Sequence, residues 1–318
     1  MRVLLVGAGV IGTVYGVQLV ESGHSVDVLG HGPRTAEIAT RGLTARDLAS
    51  DVTHCCPVTI VTDPGGSAYD LVLVAVRADQ LASVYPTLAQ LEARPTIVSF
   101  GNNPDGRAAI PAALGDRVVL GFPGIGGSMN AATVDYLQIA QQPTTLEASS
   151  NHAVAELEAA FRAQQFAVHR TSEMAGWLAY HAVFVASISA ALYRCGTDAA
   201  ILANDRRMLR LMCRSIEEGF AVLAVAGVKG LPRNLHVLHH RALRPFAVRY
   251  WARTLRSSMG EQCFAAHARH ATSEMVGLAD WVLARTTNAT RPTGYLQHLL
   301  APIAHPTVAT DSVASPPP

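Results

Sequence analysis

The sequence predicts an α/β chain, with a parallel sheet over its first half and an all-helical second half. Three observations carry that expectation. Short β-branched runs bounded by Gly, Pro or Asp alternate with amphipathic stretches through residue 121. A glycine-rich turn, Gly7 to Gly12, joins the first such run to the first helical stretch. From residue 150 onward, apolar residues recur at helical spacing almost throughout.

The predicted strands are 2–6, 25–29, 58–61, 70–76, 96–100 and 117–121. Their continuous apolar runs, separated by helices over 11–22, 34–41, 78–91 and 106–114, argue a parallel sheet covered on both faces. The stretch 122–148 breaks the rhythm with Gly, Pro and Thr around two short β-like runs. It predicts an antiparallel extension at the sheet edge. Phe166 to His169 reads as a last short strand, and helices are expected over 150–165, 173–193, 198–226, 234–257 and 261–286. The final stretch, 303–318, has no periodicity and ends in three prolines, so it reads as a disordered tail.

Composition narrows the function classes. Charged residues are 15% of the 318, and the net charge of +1 gives no electrostatic reason to expect nucleic acid or an anionic membrane as partner. The five cysteines form no CxxC pair, which suits reduced thiols in a cytoplasm. Gly7 and Gly9 interrupt the first apolar run too early for a signal peptide. The stretch 174–192 comes nearest to a membrane span, but His181, Ser187 and Ser189 favour a buried core helix. The long apolar helices 173–193 and 198–226 predict a homodimer through the second half.

The run VLLVGAGVIGTVYG places Gly7, Ala8, Gly9, Val10, Ile11 and Gly12 directly after a strand and at the start of a helix. In that setting Gly7 permits the tight turn, Gly9 lets backbone approach a pyrophosphate, and Gly12 lets helix and strand pack closely. The first half is therefore expected to be a Rossmann-type dinucleotide-binding domain, 1–168. A helical substrate and dimerisation domain, 169–302, and the tail 303–318 would follow. The second strand ends Leu29-Gly30-His31-Gly32-Pro33-Arg34, with no carboxylate for the ribose hydroxyls of NAD. His31 and Arg34 can instead face a 2′-phosphate, which favours NADP. Arg34 could equally start a solvated helix. Arg77 and Asn102 follow two further strands at ends that face ligand in such sheets, although Asn102-Asn103-Pro104 also suits an ordinary turn.

Taken together, the N-terminal GAGVIG, the VAVRADQ segment, Asn102, the helical second half, Ser257-Ser258-Met259 and Glu274 resemble the ketopantoate reductase (2-dehydropantoate 2-reductase) family. The resemblance covers nearly the whole chain. It implies NADPH-dependent reduction of a 2-oxo acid between the two domains, with Asn102 and Glu274 in the catalytic set and Ser258 at the substrate.

The family's second domain opens with a helix reading W-x-K-L-x-x-N, followed by a second Asn, and its lysine protonates the ketone oxygen. Matching its tryptophan to Trp177 puts Ala179 at the lysine, Val183 at the first Asn and Ser187 at the second. Lys229 is the only lysine in the chain, so the family's acid is missing. His181 lies about 200° around the helix from Ala179. It reads as a core histidine, or as a replacement acid if the substrate enters differently. His236, His239 and His240 share helical spacing, but no Cys or carboxylate pattern accompanies them and no metal is expected.

Two readings follow. One is an NADPH-dependent reductase of a carbonyl or imine on a small molecule more apolar than ketopantoate. The other is a non-redox cyclase, isomerase or lyase on the same scaffold, or a ligand-binding pseudoenzyme.

Overall fold

The computed structural model describes residues 1–287 and 289–304. Its first half contains β1 (Arg2–Val6), α1 (Val10–Glu21), β2 (Ser25–Leu29), α2 (Pro33–Arg41), β3 (Leu43–Asp47), β4 (Val52–Cys56), β5 (Thr59–Val61), β6 (Leu71–Val74), α3 (Leu81–Ala89) and β7 (Thr96–Phe100). It continues through β8 (Val118–Phe122), β9 (Ile125–Asn130), β10 (Thr133–Gln138), β11 (Thr144–Glu147), α4 (His152–Ala163) and β12 (Val168–Thr171). Eight strands pair in the order β12-β11-β8-β7-β6-β1-β2-β5. All these pairs are parallel except β8 with β11. The chain moves one way from β1 to β2 and the other way to β6, so a crevice opens at the carboxyl end of β1.

The stretch after β8 departs from expectation. Its hairpin, β9 and β10, leaves the main sheet and joins β3 and β4 in a second sheet, ordered β4-β3-β10-β9. Only β11 extends the main edge. β3 and β4 were not foreseen, because LTARD and VTHCC carry charge and polar groups instead of a continuous apolar run. The helix expected over 106–114 is a single 3-10 turn, Gly106–Ala109, since Gly106 has φ of 58° and Pro111 cannot extend a helix.

The second half is helical: α5 (Met174–Arg194), α6 (Ala199–Asn204), α7 (Arg206–Val225), α8 (Arg233–Leu238), α9 (Arg244–Leu255), a π-helical turn Gly260–Ala265, α10 (Ala266–His270), α11 (Thr272–Ala284) and α12 (Gly294–Ala304). Capping explains why the expected long helices break. Asp198 accepts hydrogen bonds from the first turn of α6, and Asp205 accepts from the amides of Arg207 and Met208 to start α7 afresh. Ile303 and Ala304 finish α12, so the tail does not begin at 303; its remainder, 305–318, lies outside the described residues.

Among the described residues, α5 alone is long and apolar enough to cross a membrane, with mean hydropathy 1.5. Its flanks are covered by protein, and Val183 and Ser187 face α7. A Cβ placed on Gly219 would lie 2.4 Å from Cγ1 of Val183, and Ser187 hydrogen-bonds Ser215 at 3.1 Å. Close backbone approach is thus built into this pair of helices. Gly219→Ala should destabilise by about 1–3 kcal/mol through overpacking. The companion change Val183→Ala should recover part of that loss, as read by urea unfolding of the single and double variants.

Candidate active site

The glycine turn has the geometry that the sequence demands. Gly7 sits at φ of 95°, and a Cβ there would lie 2.8 Å from the Ala75 carbonyl oxygen. A Cβ on Gly12 would lie 1.8 Å from the Gly7 carbonyl oxygen, so that contact needs hydrogen. Gly9 differs, because nothing lies within 4 Å of a Cβ placed on it. Its bareness serves no neighbour inside the chain and leaves room for a ligand. Gly9 also caps α1, whose first turn has no side-chain cap and no acidic residue. Ala8, Val10 and Ile11 are half-buried around it. Free amides at a helix start favour phosphate oxygens.

Arg34 is not a solvated helix starter. Its guanidinium donates to the carbonyl oxygens of Ala8 and Ala132, to the Thr13 hydroxyl and to Glu37, over 2.6–3.2 Å. Four of its five N–H groups are thereby engaged. The residue staples the glycine turn to the β9–β10 hairpin and has one donor left for a ligand. His31 is exposed at the rim.

The loops after β6 and β7 abut this turn. Gly101 has φ of 152° and packs against the Val76 carbonyl, which directs Asn102 into the protein. Asn102 is 7% exposed, and its Oδ1 has no hydrogen-bond partner. A buried acceptor left open in this crevice fits a dinucleotide's polar groups. Arg77, by contrast, is exposed and paired with Asp79 at 3.3 Å.

Helices α5, α10 and α11 close the crevice from the other side. At the end of β8, Phe122 meets Trp177 and His181, with ring centroids 5.2 and 4.1 Å away. Trp177 and His181 are themselves stacked. On α11, Glu274 accepts a hydrogen bond from the Ala78 amide at 3.2 Å, and Ser273 donates to Asp79 at 2.8 Å. Trp281 and Arg285 both donate to Asp105. His267, on α10, brings Nε2 to 3.8 Å from Glu274. Sequence reasoning did not select His267, because only the break at Ala271 and the π-helical turn aim it at Glu274.

Several expected positions move. The face of Ala179, Val183 and Ser187 is buried, and Val183 and Ser187 pack toward α7. The opposite face, with Trp177 and His181, is the one turned to the sheet. His181 is no acid for neutral pH, since burial, with a smaller contribution from His267, pushes its pKa down to about 3. Ser258 is exposed beside the π-helical turn, and its side chain makes no hydrogen bond among the described residues. The Lys229 side chain is exposed, although its carbonyl packs on Gly176 at the start of α5. Among the described residues no group of side chains is arranged to hold a metal ion.

Residues 3–151 match the family model described as ketopantoate reductase PanE/ApbA. Over that stretch the chain is similar to the ketopantoate reductase family. No curated protein matches. Solved structures similar over 96% of the chain include a PanE/ApbA family ketopantoate reductase from Ralstonia eutropha JMP134, with 21% identity, 97% of its own length covered and a TM-score of 0.73. A D-mandelate dehydrogenase with NADH and anilino(oxo)acetate shares 15% identity over 97% of its length, with a TM-score of 0.72. A dimeric ketopantoate reductase from Staphylococcus aureus shares 14% over 98%, with a TM-score of 0.65. At these identities the likeness establishes the fold, and the ketopantoate reductase fold is the one observed.

Burial of neutral histidine predicts a pH response. His181 titrates near 3 and His239 near 4 in the folded chain, each pushed down from 6.5 chiefly by burial. Between those values the unfolded chain binds protons that the folded chain refuses, so stability falls as pH drops below 6.5. At pH 5 each residue should cost about 2 kcal/mol relative to neutral pH. Urea unfolding at pH 5, 6 and 7 should show this loss, and His239→Phe should flatten it.

Proposed function

We propose that the protein is an NADPH-dependent reductase acting on a carbonyl or imine of a relatively apolar small molecule, and not on ketopantoate. The observation that carries the reading is one crevice holding open space at Gly9, the orphaned Oδ1 of Asn102 and the aromatic wall of Phe122 and Trp177. The glycine turn and the first amides of α1 would hold the dinucleotide pyrophosphate, and Asn102 would meet its nicotinamide half. Once bound, the dinucleotide supplies hydride. The reading takes 1–168 as the cofactor part and 169–302 as the substrate and dimerisation part.

Preference for NADPH rests on the missing carboxylate after β2 and on the exposed cation-capable His31. Arg34 supports the turn first and a 2′-phosphate second. In thermal-shift titrations NADPH should therefore stabilise more than NADH. Arg34→Ala should weaken the response to both cofactors, whereas His31→Ala should weaken only the NADPH response. Equal shifts with both cofactors in the wild type would refute the preference.

Aromatic rings beside the crevice favour a flat apolar substituent on the substrate over the hydroxylated branched chain of ketopantoate. The D-mandelate dehydrogenase neighbour makes phenylglyoxylate, the oxidised counterpart of mandelate, a suitable probe. NADPH oxidation should be about tenfold faster or more with phenylglyoxylate than with ketopantoate. Ketopantoate turnover at an equal or higher rate would overturn the reading, and absence of any cofactor consumption would favour the non-redox or ligand-binding alternatives.

Five unpaired cysteines support a cytoplasmic setting. Val237, Leu243 and Phe246, 40–60% exposed on and between α8 and α9, support a homodimer through the helical half. Light scattering should give twice the chain mass at micromolar concentration, and a monomer there would contradict the assembly.

A further inference from the structure

The crevice lacks the family's lysine, yet two imidazoles reach it from the helical side. They differ in what they can do. His181 is 5% exposed, pressed between Phe122 and Trp177, and held neutral. The His267 side chain is 38% exposed, so a bound molecule can reach it. Its Nε2 faces Oε2 of Glu274, whose side chain is only 4% exposed. The other Glu274 oxygen is held by the Ala78 amide, at the start of the 3-10 turn that follows β6. One carboxylate oxygen is therefore fixed to the sheet side while the other is presented to the imidazole.

The placement of His267 is built in. The π-helical turn before it is pinned to β9, with Ser128 donating to Gln262 at 2.7 Å and Gly126 packed on Cys263. A Cβ on Gly126 would lie 2.4 Å from the Cys263 sulfur, so this seam tolerates little movement. π-helical turns recur where a side chain must be re-aimed at a functional site.

We propose that His267, oriented by Glu274, is the proton donor of the crevice, in place of the lysine missing from α5. The proposal rests on the reductase reading above. The carbonyl carbon gains hydride from the dinucleotide, and the carbonyl oxygen takes the Nδ1 proton of the His267 imidazolium. The C=O π bond breaks, C–H and O–H bonds form, and the exposed ring regains its proton from water. Nδ1 makes no hydrogen bond among the described residues, so it is available for that contact.

The surrounding charges set the balance. Burial lowers the pKa of His267, the Glu274 carboxylate opposes that, and His270 on the same helix adds to the lowering. From α5 the facing group is His181, which stays neutral. β9 has no ionisable residue. Arg77 with Asp79, and Arg269 with Glu261, are paired to each other. Glu274 is thus the one anion committed to the ring, and it is a positioning residue.

The test begins with NMR titration of the His267 ring in cofactor-free protein. Glu274→Gln should move the His267 midpoint to lower pH, and an unmoved midpoint overturns the pairing whatever the substrate is. NADPH oxidation with phenylglyoxylate then reads the donor role. Wild-type kcat should fall as pH rises through the His267 midpoint. His267→Gln should lower kcat about 10²- to 10⁴-fold, abolish that limb, and leave KM and NADPH fluorescence binding within a few-fold. Retained cofactor binding also certifies the fold, and Glu274→Gln should shift the limb to lower pH. A His267→Gln protein with wild-type kcat and pH profile overturns the donor role while the reductase reading stands. Wild type inert toward phenylglyoxylate and other 2-oxo acids overturns the reductase reading and the donor role with it, while the titration still decides the pair.

Discussion

The structure turns on the need to cover α5. Twenty consecutive residues of that helix carry no charge, and seventeen of its side chains are buried. One face is taken by α7, through the bare backbone of Gly219 and the Ser187–Ser215 hydrogen bond. The other is taken by the end of the main sheet, through Phe122. A helix clad this way has no water for a cation. A lysine at Ala179 would face desolvation that drives it toward its neutral form, and no carboxylate on α5 would repay the cost.

Much of the scaffold was legible in the sequence because it follows from short-range rules. β1, the glycine turn and α1 stand where the run VLLVGAGVIG places them, and β2, β5, β6, β7 and β8 lie within a few residues of their expected spans. What escaped was set by long-range pairing. β3 and β4 carry polar residues because they form a small separate sheet, and only the β9–β10 hairpin, far along the chain, completes it. The splits at Asp205 and Ala271 escaped for a different reason. Apolar periodicity continues across both breaks, while a capping carboxylate starts α7 afresh at Asp205 and non-helical backbone at Ala271 separates α10 from α11.

The site was legible in its parts and not in their partners. Asn102 follows β7 with its Oδ1 buried and unpartnered, and Glu274 on α11 accepts from the Ala78 amide. Arg34 shows why charge alone was insufficient: a guanidinium beside a nucleotide loop invites a phosphate reading, yet carbonyls from Ala8 and Ala132 already occupy it. Those carbonyls come from backbone separated by more than a hundred residues, and no local pattern announces them. The wall of α5 was misplaced for a similar reason. Helical spacing establishes which residues share a face, but only tertiary contacts decide which face looks at the ligand.

Moving the donor from α5 to α10 also changes what holds it in place. A lysine on a buried helix depends on that helix alone. His267 depends on Glu274, and Glu274 depends on the Ala78 amide across the seam between sheet and helices. The same seam is tied by Ser273 to Asp79 and by Trp281 and Arg285 to Asp105. Glu274 further sits in the first turn of α11. Its carboxylate charge, placed between that helix start and the Ala78 amide, stands 3.8 Å from the imidazole. That charge sustains the imidazolium as burial opposes it. Closure of the crevice and protonation of its donor are therefore linked through one carboxylate, which a lysine would not have required.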